Sequence, residues 1–163
     1  MAEWVAAETA MLLSAHAAGV PVLGVCFGGQ LLAAAHGGSV VRAETSEIGW
    51  YTLEFSDLVG PGPWFQWHFD RWVLPPGARE IARTANASQA FLLGTTMAVQ
   101  FHPELDRGLL EVWLDEDRDG AVVAHGLDVD ELRAVTDREA AVVPARIDAL
   151  VRGFCSDARR GDT

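Results

Sequence analysis

The run "VPVLGVCFGGQLLAAAH", Val20 to His36, restricts the fold more than any other stretch of this 163-residue chain. Val20 to Val25 is continuously apolar, rich in β-branched residues and bounded by turn signals. That pattern suits a strand buried on both faces, as in a parallel sheet. Gly28 and Gly29 lead at once into a short helix, which Gly37 and Gly38 close. Upstream, Ala2 to Ala18 is rich in Ala and Leu and reads as a helix, with Gly19 as its stop. Helix, strand, sharp turn and helix follow one another within forty residues, which is the order of an α/β fold.

Cys26 stands at the sharp turn. The chain has two cysteines, Cys26 and Cys155, too few for a disulfide framework. Gly24-Val25-Cys26-Phe27-Gly28 fits the pattern G-x-nucleophile-x-G, in which a strand ends, the nucleophile sits on a strained turn and a helix begins. Gly24 and Gly28 are expected to be glycine because side chains there would collide with strand and helix neighbours. The sulfur would stand at the carboxyl end of the sheet, where open α/β folds bind ligands. The helix N-terminus beneath it favours thiolate, and the Phe27 N–H can point at a developing oxyanion. A structural cysteine before a glycine-rich turn fits "GVCFGG" equally well.

Beyond this unit, "SVVRA" and "IGWYTLEF" read as strands, and "GPGP" (Gly60 to Pro63) and "PPGA" (Pro75 to Ala78) as loops. "QAFLL" and "MAVQFH" flank Gly94-Thr95-Thr96 as a hairpin. After Leu105 the chain turns helical, with an acidic surface segment at Asp115 to Asp119. The last helix, Val142 to Cys155, has Pro144 in its first turn and Ile147, Leu150, Val151 and Phe154 at helical spacing. Cys155 is expected to lie in the core. Residues 1–155 read as a single domain and 156–163 as a flexible tail. The formal net charge of −11 argues against nucleic acid or an anionic membrane as partner. The start, "MAEWVAAETA", is acidic where a secretory signal would be basic, so a cytoplasmic setting is expected. His16, His36, His68, His102 and His125 show no ligand spacing with the cysteines, so no metal or other cofactor is expected.

A second cluster, "VQFHPEL", puts His102 and Glu104 just after an apolar strand. A thiol nucleophile needs a base, and the base needs a carboxylate to orient it. On its own, this pair fits an ordinary exposed loop better.

"GVCFGGQ" followed at a distance by "QFHPE" resembles the class I glutamine amidotransferase family, whose glutaminase domain uses a catalytic triad. "EIGW" (Glu47 to Trp50) and "WHFDRWVLPPGA" (Trp67 to Ala78) are similar to the stand-alone members that resemble the glutaminase part of GMP synthase. The likeness covers roughly Ala10 to Leu105. It implies a flavodoxin-like, Rossmann-like fold: a mostly parallel sheet with flanking helices and an antiparallel hairpin. It also implies hydrolysis of glutamine to glutamate and ammonia through a glutamyl thioester. Cys26 would be the nucleophile, His102 the base and then acid, and Glu104 the residue that orients His102. Phe27 would supply an oxyanion N–H, and Gln30 would hold the amino-acid end of the substrate. Any acceptor of the ammonia would be a synthase on another chain. His68 and Asp70 match a segment near the mouth of the family's site, where many members have a small residue in place of Phe69. Trp64, Trp67 and Trp72 are expected to serve packing.

The resemblance also implies a strand, a helix and a glycine-rich turn ahead of "AEWVAAETAMLLSAHAAG", which is similar to the helix after that turn. The expectation is an N-terminally incomplete fold, half an oxyanion hole and an unpaired edge on "VPVLGV". Two further functions fit these residues: a hydrolase of other γ-glutamyl compounds with the same triad, and a catalytically weak, partner-dependent or regulatory module. The DJ-1/PfpI-like proteins share the general fold, but many carry His directly after the cysteine, where Phe27 stands here.

Overall fold

In a computed structural model, residues 3–55, 58–60 and 62–158 are described. The expected tail lies mostly outside that range. Helix α1 (Glu3–Ala17) ends before Gly19, whose φ of +68° is readily reached by glycine. Strand β1 (Val22–Val25) runs into helix α2 (Phe27–Ala35) with Cys26 alone between them. The two strands expected next are a single long strand, β2 (Ser39–Thr52), followed by the short β3 (Glu54–Phe55). Its pairing with β4 (Pro63–Val73) shifts register between Arg42 and Glu47. Strands β5 (Arg79–Arg83), β6 (Ser88–Leu93) and β7 (Thr96–Val99) complete the β structure, β6 and β7 forming the expected hairpin.

The strands form two sheets: a five-stranded one in the order β1-β7-β6-β5-β3, and the pair β2-β4. β1 lies parallel to β7, and pairing beyond β7 is antiparallel. Among the described residues, β1 is paired on one side only. Side-chain alternation along β7 divides the core. Ala98 faces Leu12, Leu31, Leu32 and Trp72, so α1 and α2 cover that face. Met97 and Val99 face Trp64, Phe101 and Leu150 on the opposite side. Leu150 lies on the terminal helix, here α6 (Val143–Ala158), with Pro144 in its first turn as expected. A third core joins Ile48 and Phe65 of the β2-β4 pair to α3 (Arg107–Glu116), α4 (Ala121–Ala124) and α5 (Val129–Ala140). Helices therefore flank a mixed sheet, and the chain is of the α/β class.

Two expectations about packing are corrected. Cys155 is exposed, one step round α6 from the stripe of buried Val143 and Leu150 and half-buried Ile147 and Phe154, and Val151, read with that stripe, is exposed as well. A Cβ on Gly28 would meet nothing within 4 Å, so no collision requires glycine there. Close packing falls instead on Gly24 and on Gly29, where a Cβ would lie 2.8 Å from the Trp72 ring and 3.2 Å from the Val99 carbonyl oxygen. Among the described residues, no helix is long and apolar enough to cross a membrane.

Candidate active site

Cys26 is the one non-glycine residue among those described with positive φ, at φ 48° and ψ −107°. L-residues occupy that region at a cost of order 1–3 kcal/mol, and such strain collects at functional sites. The turn is held on both sides. The Cys26 N–H donates to the Val99 carbonyl of β7 at 2.8 Å, and the Cys26 carbonyl accepts from the Gln30 N–H at 3.0 Å. Gly24 makes the turn possible: a Cβ there would sit 2.5 Å from Leu32 Cδ1 and 2.8 Å from the Gly28 carbonyl carbon. Phe27 opens α2, so its N–H belongs to the first turn and has no partner within the helix. The Phe27 ring is 49% exposed and lies against Trp4, with centroids 5.8 Å apart.

β7 delivers the second group. Just past its end, the His102 N–H donates to the Phe65 carbonyl at 2.8 Å, which ties the segment to β4. His102 Nδ1 lies 2.7 Å from Glu104 Oε1, which leaves Nε2 as the ring nitrogen for the sulfur. Burial pushes the His102 imidazole down. Hydrogen bonds to Cys26 and Glu104, with the charges of both, outweigh burial and hold it up to about 9. Burial pushes Glu104 up, but its bond to His102 and the charge of that ring bring it below the usual carboxylate value. Cys26, His102 and Glu104 thus form one linked group.

Cys26 and His102 lie on a cavity of about 570 Å³, walled by Trp67, Phe69 and Trp113 and rimmed by residues 116–119. Trp113 meets the His102 ring edge-on at 4.7 Å and Trp67 at 5.7 Å. Trp64 and Trp72 are packing residues as expected, stacked on Phe101 and edge-on to Phe91. Trp67 both packs and lines the cavity. The acidic segment is more than surface: Asp117 accepts from the Ala121 and Val122 N–H groups and so caps α4 at the cavity rim.

Gln30 lies on the other side of Phe27, in a separate, largely apolar cavity that it shares with Asp70 and α1. Its Nε2 donates to the Asp70 carbonyl at 3.2 Å and to Gln100 Oε1 at 3.3 Å. Gln100 Nε2 in turn donates to Cys26 Sγ at 3.5 Å. His68 is buried beside Glu47 rather than open at a mouth, and the Asp70 carboxylate pairs with Arg42 at the surface. Gln100 and Trp113 are the residues that sequence reasoning missed. Gln100 stands two positions before His102 in the quoted motif, a signal that was available. Trp113 offers none, because an aromatic residue on an amphipathic helix reads as core. Among the described residues, no group of three or more His, Cys, Asp or Glu is arranged to hold a metal ion.

A strained strand-to-helix cysteine faced by a histidine–glutamate pair is the arrangement of a thiol hydrolase or acyl-transfer site. Comparison with known proteins makes the class specific. The model of the family "Glutamine amidotransferase class-I" matches residues 3–112, and the chain belongs to that family. Among curated relatives, the glutamine-hydrolysing GMP synthase of Aeropyrum pernix is 40% identical over 111 residues, which are 59% of this chain and 22% of that protein. That of Thermomicrobium roseum is 39% identical over 99 residues, 53% of this chain and 18% of that protein. The chain thus spans about a fifth of the length of these relatives. Among solved structures, a glutamine amidotransferase from Thermotoga maritima superposes with TM-score 0.82 at 28% identity, covering 92% of this chain and 69% of that one. One from Methylobacillus flagellatus gives 0.84 at 25%, covering 96% and 71%.

Proposed function

We propose that the chain hydrolyses the side-chain amide of glutamine, with Cys26 as nucleophile, His102 as proton carrier and Glu104 as the group that orients it. The observation that carries this reading is the strained backbone of Cys26 beside an imidazole held up to about 9. At neutral pH such an imidazole is charged, so His102 enters first as an acid. The sulfur attacks the amide carbon and the carbonyl electrons move to oxygen, to which the Phe27 N–H donates. As the oxygen lone pair re-forms the carbonyl, the C–N bond breaks. Nε2 of His102 protonates the departing nitrogen, which leaves as ammonia. Neutral His102 then takes a proton from water as it attacks the thioester. Glutamate leaves, and the sulfur and imidazolium are restored. Glu104 supports the charged ring throughout.

The expected readout is ammonia release from glutamine, reduced at least a thousandfold in Cys26→Ala; equal release by both proteins would overturn the assignment. Ammonia made here would pass to a synthase, a reading that the likeness to glutamine-hydrolysing GMP synthases supports. In the cell, the expected setting is the cytoplasm.

One observation favours a second reading. The 570 Å³ cavity on the His102 side is of the size that takes whole small ligands, far more than departing ammonia needs. A γ-glutamyl compound with a larger amine would place that amine against Trp67, Phe69 and Trp113. A higher kcat/KM for a γ-glutamyl arylamide than for glutamine would select this reading; the reverse order would select glutamine.

A further inference from the structure

Glu47 and His68 are wholly or almost wholly buried, and the chemistry above uses neither. They face each other across the β2-β4 pair, with His68 Nε2 3.2 Å from Glu47 Oε2. Gln89 Nε2 donates to Glu47 Oε2 at 2.6 Å and Asn86 Nδ2 to Oε1 at 3.2 Å, so the carboxylate is surrounded by donors. The other ring nitrogen, His68 Nδ1, lies 3.0 Å from the Asp70 carbonyl oxygen. A carbonyl can only accept, so Nδ1 carries a proton.

We infer that His68 is a positioning residue for the Cys26 sulfur, acting through the Asp70 carbonyl, Gln30 and Gln100; the inference rests on the role proposed for Cys26. The Asp70 carbonyl receives both His68 Nδ1–H and one hydrogen of the Gln30 amide. The second Gln30 hydrogen goes to Gln100 Oε1, and this decides which way the Gln100 amide faces. A free glutamine amide can flip, and its two orientations have opposite consequences beside a sulfur nucleophile. With Oε1 engaged by Gln30, the Gln100 NH₂ faces Sγ, at 3.5 Å, as a donor. Flipped, it would set a carbonyl oxygen against the same sulfur. His68, buried beside Glu47, anchors the far end of this chain of bonds, where no solvent competes for its Nδ1–H.

The test is the rate at which iodoacetamide alkylates Cys26 at pH 7, with exposed Cys155 as the control within each protein. Loss of this hydrogen bond predicts a Cys26 reaction slower by about tenfold in Gln100→Met. Gln30→Met should be slowed equally although it removes no contact to sulfur, and the double variant should be no slower than either single one. His68→Phe should behave like Gln30→Met. His68→Asn, which keeps an N–H near the Nδ1 position, should recover most of the rate. Should His68→Phe fail to fold, His68→Met, which also lacks the N–H, takes its place. A wild-type rate in the folded His68 variant that lacks the N–H, a wild-type rate in Gln30→Met, or multiplied losses in the double variant, would overturn the inference. A reactive Cys26 with no glutamine turnover would instead overturn the proposed function and leave the relay standing.

Discussion

His102 is charged at neutral pH because two partners outweigh its burial, and this gives the site a defined alkaline limit. Its raised value means that the protonated, acid-competent ring is present below about 9 and is lost as pH rises through that value. The kcat/KM profile for glutamine should therefore fall on an alkaline limb near 9. Glu104→Gln removes one upward influence on the ring, so its limb should move towards neutral pH; an unmoved limb would separate Glu104 from His102 function. The glycines around Cys26 make a second prediction at this scale. Gly24→Ala forces a methyl group into Leu32 and the Gly28 backbone and should cost about 1–3 kcal/mol by urea unfolding. Gly28→Ala meets open space in a helix and should be neutral or stabilising by about 0.5–1 kcal/mol. Sequence alone shows that glycine flanks a turn. Which glycine is crowded depends on where Trp72, Leu32 and β7 arrive, and they come from other parts of the chain.

At the scale of elements, β1 with α2 brings the sulfur and β7 brings the imidazole, and their parallel pairing sets one beside the other. Both pieces were legible because each combines a local apolar run with a motif of fixed spacing. The cavity wall was not legible. β4 carries Trp67 and Phe69 in a strand whose polar residues, Gln66 and His68, are buried on its other face, so no simple polar–apolar alternation marks it. α3 and α4 meet at the cavity rim through Asp117, whose two carboxylate oxygens bind the first N–H groups of α4. Asp117→Ala should cost about 1 kcal/mol in urea unfolding, the usual loss for an N-terminal cap. No change would show that α4 is held by packing alone. Cys155 was misplaced for a related reason: on a helix, one residue's step of about 100° separates Phe154 at the core from Cys155 in solvent.

On the scale of the whole molecule, the family match ends at residue 112, yet the core does not. Leu150 of α6 is 1% exposed against Trp64, Met97 and Phe101, which back the strand that leads to His102. We therefore expect residues up to the end of α6 to unfold with the site as one unit. Leu150→Ala should cost about 2–5 kcal/mol and keep a single transition, whereas two transitions would divide the chain into separate units. The α/β class was readable from the first forty residues, but the exchange of core contacts between distant helices and strands was not, since it needs the sheet order. The claim to which all three scales lead is that the short chain assembles a working glutamine site at Cys26. The most direct test is treatment with a diazo-ketone analogue of glutamine and peptide mapping of the product. The account predicts an adduct on Cys26, none on Cys155, and its loss in His102→Ala. A folded protein that forms no adduct on Cys26 would contradict it.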